Sequence, residues 1–184
     1  MFGEGAPAAC EAPIVIGNPN FFPASMRKAT GERIVRSIFI LSKPVPDTDN
    51  ADSTMIILPQ KWFGRKSDIY ITVVGKQHMV APAGKYIVIC STTVETADPI
   101  AELKPALKLI GGTFLKRFDH IVDRYEPAQR GSVNGCYMTK SLDATANFEG
   151  VMADALRIYE EIFGEPLDRT ADSASKTASK EDSK

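Results

Sequence analysis

Apolar and polar positions along this chain change period part-way through. Between Ile34 and Ser91 the apolar residues lie side by side or two apart, and after Pro99 they recur at helical spacing. Ile34 to Leu41 is apolar in both alternating registers, with Ile34, Ile38 and Ile40 in one and Val35, Phe39 and Leu41 in the other. That is the pattern of a strand covered on both faces. Thr54 to Leu58 and Lys85 to Ser91 behave alike. Asp68 to Val74 alternates more cleanly, with Ile69, Ile71 and Val73 on one side and Tyr70 and Thr72 on the other. The stretches between these runs are rich in Pro, Gly, Asp and Asn, as in Lys43-Pro44-Val45-Pro46-Asp47-Thr48-Asp49-Asn50. After Leu58 and after Val74 they are about ten residues long, short for a helical crossover between parallel strands. The pattern therefore predicts four strands in an antiparallel meander.

Two helices follow. Asp98 caps the first, Pro99 sits in its opening turn, Ile100, Leu103, Leu107 and Ile110 share a face, and Gly111-Gly112 stop it. Pro105 lies inside and predicts a kink or a break. In the second, Phe148, Val151, Met152, Ala155, Ile158, Tyr159 and Ile162 form a stripe that ends at Gly164. Such a stripe ordinarily faces a core, and the competing reading is a partner-binding face. Periodicity leaves Phe118 to Tyr125 open between strand and loop. The fold class that results is α+β, an antiparallel or mixed sheet flanked by two helices.

Composition narrows the class. With 184 residues, 43% hydrophobic and 24% charged, the chain is an ordinary globular one of single-domain length. Twenty-two basic against 23 acidic side chains leave a net charge of −1, which supplies no electrostatic basis for binding nucleic acid. No apolar run approaches the ~18 residues that cross a bilayer, and Met1 to Pro13 lacks the charge and apolar core of a signal peptide. Cys10, Cys90 and Cys136 are odd in number and widely spaced, which reads as reduced thiols in the cytosol. Cys90, inside an apolar run, reads as buried and inert. From Asp168 onward Ser and Lys dominate and no large apolar residue remains, so residues 168–184 read as a disordered tail on a body spanning 1–167.

Candidate chemistry is sparse. The two histidines, His78 and His120, stand apart, and His120 with Asp119 and Asp123 reads as solvated loop rather than as metal ligands. Gly3-Glu4-Gly5 with Ala8 mimics a dinucleotide loop, but no strand precedes it. No nucleophile motif, catalytic residue, metal site or cofactor site emerges, so binding outranks catalysis. Arg65-Lys66-Ser67-Asp68 is a charged corner before a strand, read either as a hairpin edge or as a contact point for a partner. In Phe21-Phe22-Pro23, two adjacent aromatics cannot both point inward from a simple strand. One is expected to fold in and the other to join an exposed apolar patch.

Several segments in series carry a family resemblance. They are Asn50-Ala51-Asp52-Ser53 leading into Ile56-Ile57-Leu58-Pro59-Gln60, Gly64 through Tyr70, Gly84-Lys85-Tyr86, Ser91 through Thr96, Pro105 through Leu109, and Asp143-Ala144-Thr145 with Phe148-Glu149. In this order and spacing the chain resembles the C-terminal part of Rab GDP-dissociation inhibitors, the family that includes Rab escort proteins. The resemblance runs from about Gly3 to Leu167. It implies a portion of a larger domain with the fold of FAD/NAD(P)-binding proteins, without redox chemistry or cofactor. It further implies a cytosolic protein that binds prenylated Rab GTPases in the GDP form, slows GDP release and recycles them between membrane and cytosol. Covering a geranylgeranyl chain removes many CH₂ groups from water, each worth ~0.8 kcal/mol.

The resemblance also implies that this sequence is less than half of a full-length member. The strand–glycine-rich loop–helix and the lipid-binding helical domain then lie outside it. One site carries over. Asn18 through Pro23 matches a region that in the escort proteins lies near the cavity for the Rab C-terminal segment, with Asn18 and Ile16 replacing the usual aspartate and cysteine. Phe21 and Phe22, with Met26 behind them, are the candidate partner-binding residues, together with Arg65 at its corner. Ile14 to Ile16 and one side of the sheet are expected to expose apolar surface and an unpaired edge, with a tendency to associate. Two other readings stand beside this one: a free-standing interaction module derived from the family, and a flavin-dependent enzyme of the related fold.

Overall fold

The strand-like runs pair into one five-stranded sheet in the computed structural model, which describes residues 11–168 apart from residue 146. The dinucleotide-like Gly3 to Ala8 segment, Cys10 and the serine-rich tail beyond Asp168 lie outside the described residues. The strands are β1 (Val15–Gly17), β2 (Arg27–Leu41), β3 (Ser53–Leu58), β4 (Ile69–Val74), β5 (Tyr86–Thr93), β6 (Lys116–Pro127) and β7 (Cys136–Met138). Helices α1 (Lys104–Leu109) and α2 (Phe148–Phe163) complete the set, with short 3-10 turns between. The described chain divides into two compact units. One takes residues up to Lys28, Glu126–Lys140 and those from Phe148; the other takes Ala29–Tyr125 and Ser141–Asn147.

In the second unit the sheet order is β3-β4-β5-β2-β6. β3–β4, β4–β5 and β5–β2 are antiparallel, as the short connections require. The four-strand meander is corrected at one point: β2 lies beside β5, not beside β3. The connection from Ser42 to Asp52 does not close a hairpin. It crosses roughly 14 Å, three strand spacings, to start β3 at the far edge. Left-handed conformations at Asp47, Asp49 and Asn50 turn it there. The result has Greek-key strand order.

One face of this sheet is filled. Val35, Phe39, Ile71, Val73 and Val88 point into it and pack with Leu103, Ala106 and Ile110 around α1. Phe39 is wholly buried, with the Phe114 ring 5.3 Å away and the Arg117 guanidinium 5.4 Å over its face. The opposite face, where Ile38 aligns with Ile89, Thr72 and Met55, is only half covered. Residues 141–145 cross one end of it, where Ser91 Oγ donates to Ala144 O at 2.5 Å and Arg36 Nη2 to Asp143 O at 3.0 Å. The two-sided cover read from β2 thus holds only at that end.

Phe118 to Tyr125 resolves as strand, inside β6, and β2 begins seven residues before its apolar run. Both extensions belong to an exposed ribbon in which Thr30 Oγ1 donates to Arg124 O and Glu32 pairs with Arg124. Neither side of such a ribbon is buried, so it leaves no period-two signature. The helix at Asp98 breaks where proline requires. Asp98 Oδ1 accepts from the Ala101 amide at 3.1 Å, a 3-10 turn runs Ala101–Leu103, and Pro105 enters in the first turn of α1. There its missing N–H costs nothing.

In the first unit, β1 and β7 form a two-stranded parallel ribbon, Val15 opposite Cys136 and Gly17 opposite Met138. Arg157 of α2 binds Asp154 and Glu161 on its own helix and donates to Met138 O at 2.8 Å, tying α2 to β7. The core-facing reading of the α2 stripe is corrected. Ile158 is buried and Tyr159 and Ile162 half-buried, but Val151 and Met152 are exposed and Phe148 is 91% exposed.

Two outcomes check this packing. Phe39→Ala should lower stability by about 3–5 kcal/mol in urea titration, the range for a large ring removed from a packed core. Burial pushes the Cys90 thiol up to about 12, against the opposing influence of Arg117. Thiol labelling of the native protein at pH 8 should therefore leave Cys90 unmodified until denaturant is added.

Candidate functional site

The residues singled out from sequence fall in two places. Phe21, Phe22 and Met26 lie in the first unit, and Arg65 lies in the second. At the first place, Asn18 holds an extended conformation and its side chain accepts from the Asn20 amide at 3.0 Å. This caps a 3-10 turn, Pro19–Phe21, whose proline is fully buried. Arg27 Nη1 reaches back to Pro19 O at 3.3 Å and Asn20 Oδ1 at 3.4 Å. The two aromatics part as the sequence requires. Phe22 turns inward over Gly17, where a Cβ would stand 3.0 Å from its ring, so any larger residue there would push the ring aside. Phe21 points out and is 84% exposed. Met26 is half-buried, and its carbonyl accepts from the Ala128 amide at 2.9 Å. The turn therefore presents one phenyl ring on a fixed base.

Arg65 occupies a different environment. Gly64, at φ 62°, reverses the chain after the 3-10 turn Gln60–Trp62, and the Arg65 amide returns to Gln60 O at 3.0 Å. The guanidinium points inward, with the side chain only 10% exposed. Its Nη2 meets Glu102 Oε2 at 2.7 Å, Thr93 O at 2.9 Å, Thr92 Oγ1 at 3.2 Å and Glu95 Oε1 at 3.3 Å. Glu102, its side chain 3% exposed, also accepts from the amides of Glu95 and Thr96 and from the Thr96 hydroxyl. Glu95 in turn accepts from the amides of Lys66 and Ser67. Arg65 thus ties the β3–β4 loop to the end of β5 and to the turn before α1. An open groove of about 410 Å³ runs beside it, with Phe63, Thr96, Ala101 and Pro105 in its walls.

Glu102 titrates against two opposing influences. Burial raises its pKa, but hydrogen bonds from the Thr96 hydroxyl, the Glu95 amide, Arg65 and the Thr96 amide outweigh it and leave the carboxyl below the usual range. Sequence reading found Arg65 but missed both of its carboxylate partners. Glu95 and Glu102 lie 30 and 37 positions further on, and only strand pairing brings them in. It also missed Trp62 and the outer half of α2 as exposed apolar surface. Among the described residues no group of three or more His, Cys, Asp or Glu is placed to hold a metal ion. His120 lies exposed on β6, while Asp119 beside it accepts from Ser37 Oγ and Arg117 Nε. No helix among the described residues is long and apolar enough to cross a membrane.

With this geometry in view, the chain can be placed among known proteins. Its fold is similar to the crystal structure of Rab GDI from Plasmodium falciparum, with a TM-score of 0.76 and 40% identity over 84% of this chain and 35% of that one. A family model described as GDP dissociation inhibitor matches residues 4–174. The chain belongs to the GDP dissociation inhibitor family. It is 45% identical over 157 residues to the Rab GDP-dissociation inhibitor of Saccharomyces cerevisiae, covering 85% of this chain and 34% of the relative. The probable secretory pathway GDP dissociation inhibitor 1 of Schizosaccharomyces pombe is 43% identical, covering 83% and 34%. Guanosine nucleotide diphosphate dissociation inhibitor 2 of Arabidopsis thaliana is 39% identical, covering 97% and 39%. The chain thus spans between a third and two fifths of the length of the curated relatives it matches.

The buried carboxylate yields a prediction with a definite sign. Because folding lowers the Glu102 pKa, its contribution is fully present above the unfolded carboxylate value of ~4.3 and is lost as pH falls through the folded value. Glu102→Ala, which takes the nearer of two carboxylates from Arg65 and leaves the amides of Glu95 and Thr96 without their acceptor, should cost about 3 kcal/mol near neutral pH. In chemical denaturation the gap between wild type and variant should narrow as pH drops below about 4.

Proposed function

We propose that this chain acts as the C-terminal portion of a Rab-type GDP-dissociation inhibitor. In this reading it contacts a prenylated small GTPase in the GDP form, helps to slow nucleotide release, and serves the cycling of that GTPase between membrane and cytosol. The agreement of residues 4–174 with the GDP dissociation inhibitor family carries the proposal. The names of the yeast and Plasmodium relatives supply Rab as the partner class.

The contact belongs to Phe21, with Phe22 and Met26 as its base. An exposed phenyl ring gains roughly 25 cal/mol for each Å² removed from water. A turn already locked by Asn18, Pro19 and Arg27 has little left to order when the partner arrives, which is where many interfaces lose affinity. Arg65 acts at its own corner by shaping the β3–β4 loop, since its guanidinium is engaged internally. The role is recognition and regulation, and it asks no reactive group of the protein.

Capture of a GDP-loaded, prenylated Rab on the immobilised chain tests the assignment. Phe21→Ala should weaken capture about tenfold, equivalent to ~1.4 kcal/mol, with an unchanged melting temperature. Phe22→Ala should weaken capture and also lower the melting temperature, because the Gly17 contact goes with it. Capture indifferent to Phe21 would remove the site from this turn. Mixed with Rab-bearing liposomes at stoichiometric amounts, the chain alone should leave the prenylated GTPase on the membrane. Extraction under those conditions would show that lipid capture resides within these residues.

A further inference from the structure

Helix α2 is fastened to its neighbours by charged side chains. Asp154, Arg157 and Glu161 stand three and four positions apart and so share one side of the helix. All three are largely covered, with side chains 12%, 25% and 17% exposed. Each holds one main-chain group of the segment Glu126–Lys140. Asp154 Oδ2 accepts from the Lys140 amide at 2.7 Å, Arg157 Nη2 donates to Met138 O at 2.8 Å, and Glu161 Oε2 accepts from the Gly131 amide at 3.3 Å. Arg157 also joins the two carboxylates. Its Nε and Nη2 donate to Asp154 Oδ1 at 2.9 and 2.8 Å, and its Nη1 donates to Glu161 Oε1 at 2.6 Å.

The same segment holds the residues beneath Phe21. The Thr139 amide donates to Gly17 O at 2.9 Å, and Gly17 lies opposite Met138 in the β1–β7 ribbon. The Phe22 ring rests on Gly17, and the Phe22 amide closes the turn by donating to Pro19 O at 3.2 Å. Only Met138, Gly17 and Phe22 separate Arg157 from Phe21.

We propose that Arg157 is a positioning residue for the Phe21 contact, an inference that rests on the docking role of that ring. Without the guanidinium, Met138 O loses a donor. Asp154 and Glu161, which share one cation, become two uncompensated negative charges fastened to the same segment. Their repulsion loosens α2 from β7, Gly17 shifts with its partner strand, and the Phe22 ring loses its floor. Phe21 then samples several directions, and a partner must order it on binding, which lowers affinity. A lysine cannot replace this residue fully, because one ammonium group lacks the planar fork that reaches both carboxylates and a carbonyl together.

Fluorine NMR of the full chain without a partner, with 4-fluorophenylalanine placed at Phe22, reads the floor of the turn directly. The wild-type chain should give one sharp resonance displaced from that of the free amino acid. Arg157→Met should broaden it or move it toward the free position, and Arg157→Lys should do the same to a smaller extent. Ile71→Val, which lowers stability from the core of the other unit, should leave it in place, so the signal separates positioning from a general loss of stability. In capture of a GDP-loaded, prenylated Rab, Arg157→Met should weaken binding roughly three- to tenfold. The double variant Phe21→Ala/Arg157→Met should bind no worse than Phe21→Ala alone, since both changes remove the same oriented ring. A Phe22 resonance unmoved in both Arg157 variants would overturn the proposal, and so would losses of capture that simply multiply. Capture indifferent to Phe21 would defeat the docking role by itself, and the fluorine signal would still decide whether Arg157 orders the turn.

Discussion

Glu102 sits almost without water at the first turn of a broken helix, and a carboxylate in that position must have its oxygens satisfied. The means of satisfying them organises the second unit. Arg65 crosses from the β3–β4 loop, two amides and a hydroxyl come from the turn after β5, and Glu95 extends the network to Lys66 and Ser67. Such a pair need not stabilise the fold more than well-packed apolar residues would. What it does is forbid alternatives. Any other placement of the loop after β3 leaves a buried charge exposed to its own desolvation, so the loop, the strand end and the α1 segment take one arrangement together.

Apolar surface is distributed unevenly around this frame. One face of the large sheet is closed by α1 and its flanking turns, and Phe39 with its neighbours is dry. The opposite face, the β1 strand and the first half of the α2 stripe keep substantial apolar area in contact with water. Contiguous exposed apolar surface on a folded body usually marks a place where something docks. For the docking role proposed here, exposed aromatic and aliphatic groups on stiff supports suit the task, because a preformed surface has little ordering to lose on binding. Phe21 is the clearest case, a ring held outward by a capped turn whose proline is buried.

Sequence reading of the elements succeeded where one face was buried and failed where neither was. Ile69, Ile71 and Val73 alternate because only one side of β4 meets the core, and the strand was legible to within a residue. The ribbon joining the start of β2 to β6 meets water on both sides, so Arg27 to Arg33 carry no period and were invisible. The α2 stripe shows the converse error. Its helical spacing was correct, but spacing reports a face and not what covers it, and Phe148 and Met152 proved exposed. At the candidate sites, the parting of Phe21 from Phe22 was legible because two adjacent aromatics set among turn residues cannot both reach the interior. The carboxylates around Arg65 were not, because their proximity depends on strand pairing over more than thirty positions.

Local chemistry alone was therefore enough to set the strands of the central run, the proline break before α1, the glycine stop after α2 and the family resemblance carried by short segments in series. These depend on steric and hydrogen-bonding preferences within a few residues, and every sequence states those openly. Tertiary structure decided the rest: that β2 lies against β5, that Arg65 turns inward to Glu102, and which apolar stripes remain uncovered. Each of these is a contest between distant segments for the same buried space or the same buried charge, and its outcome is settled only when all of them are present together.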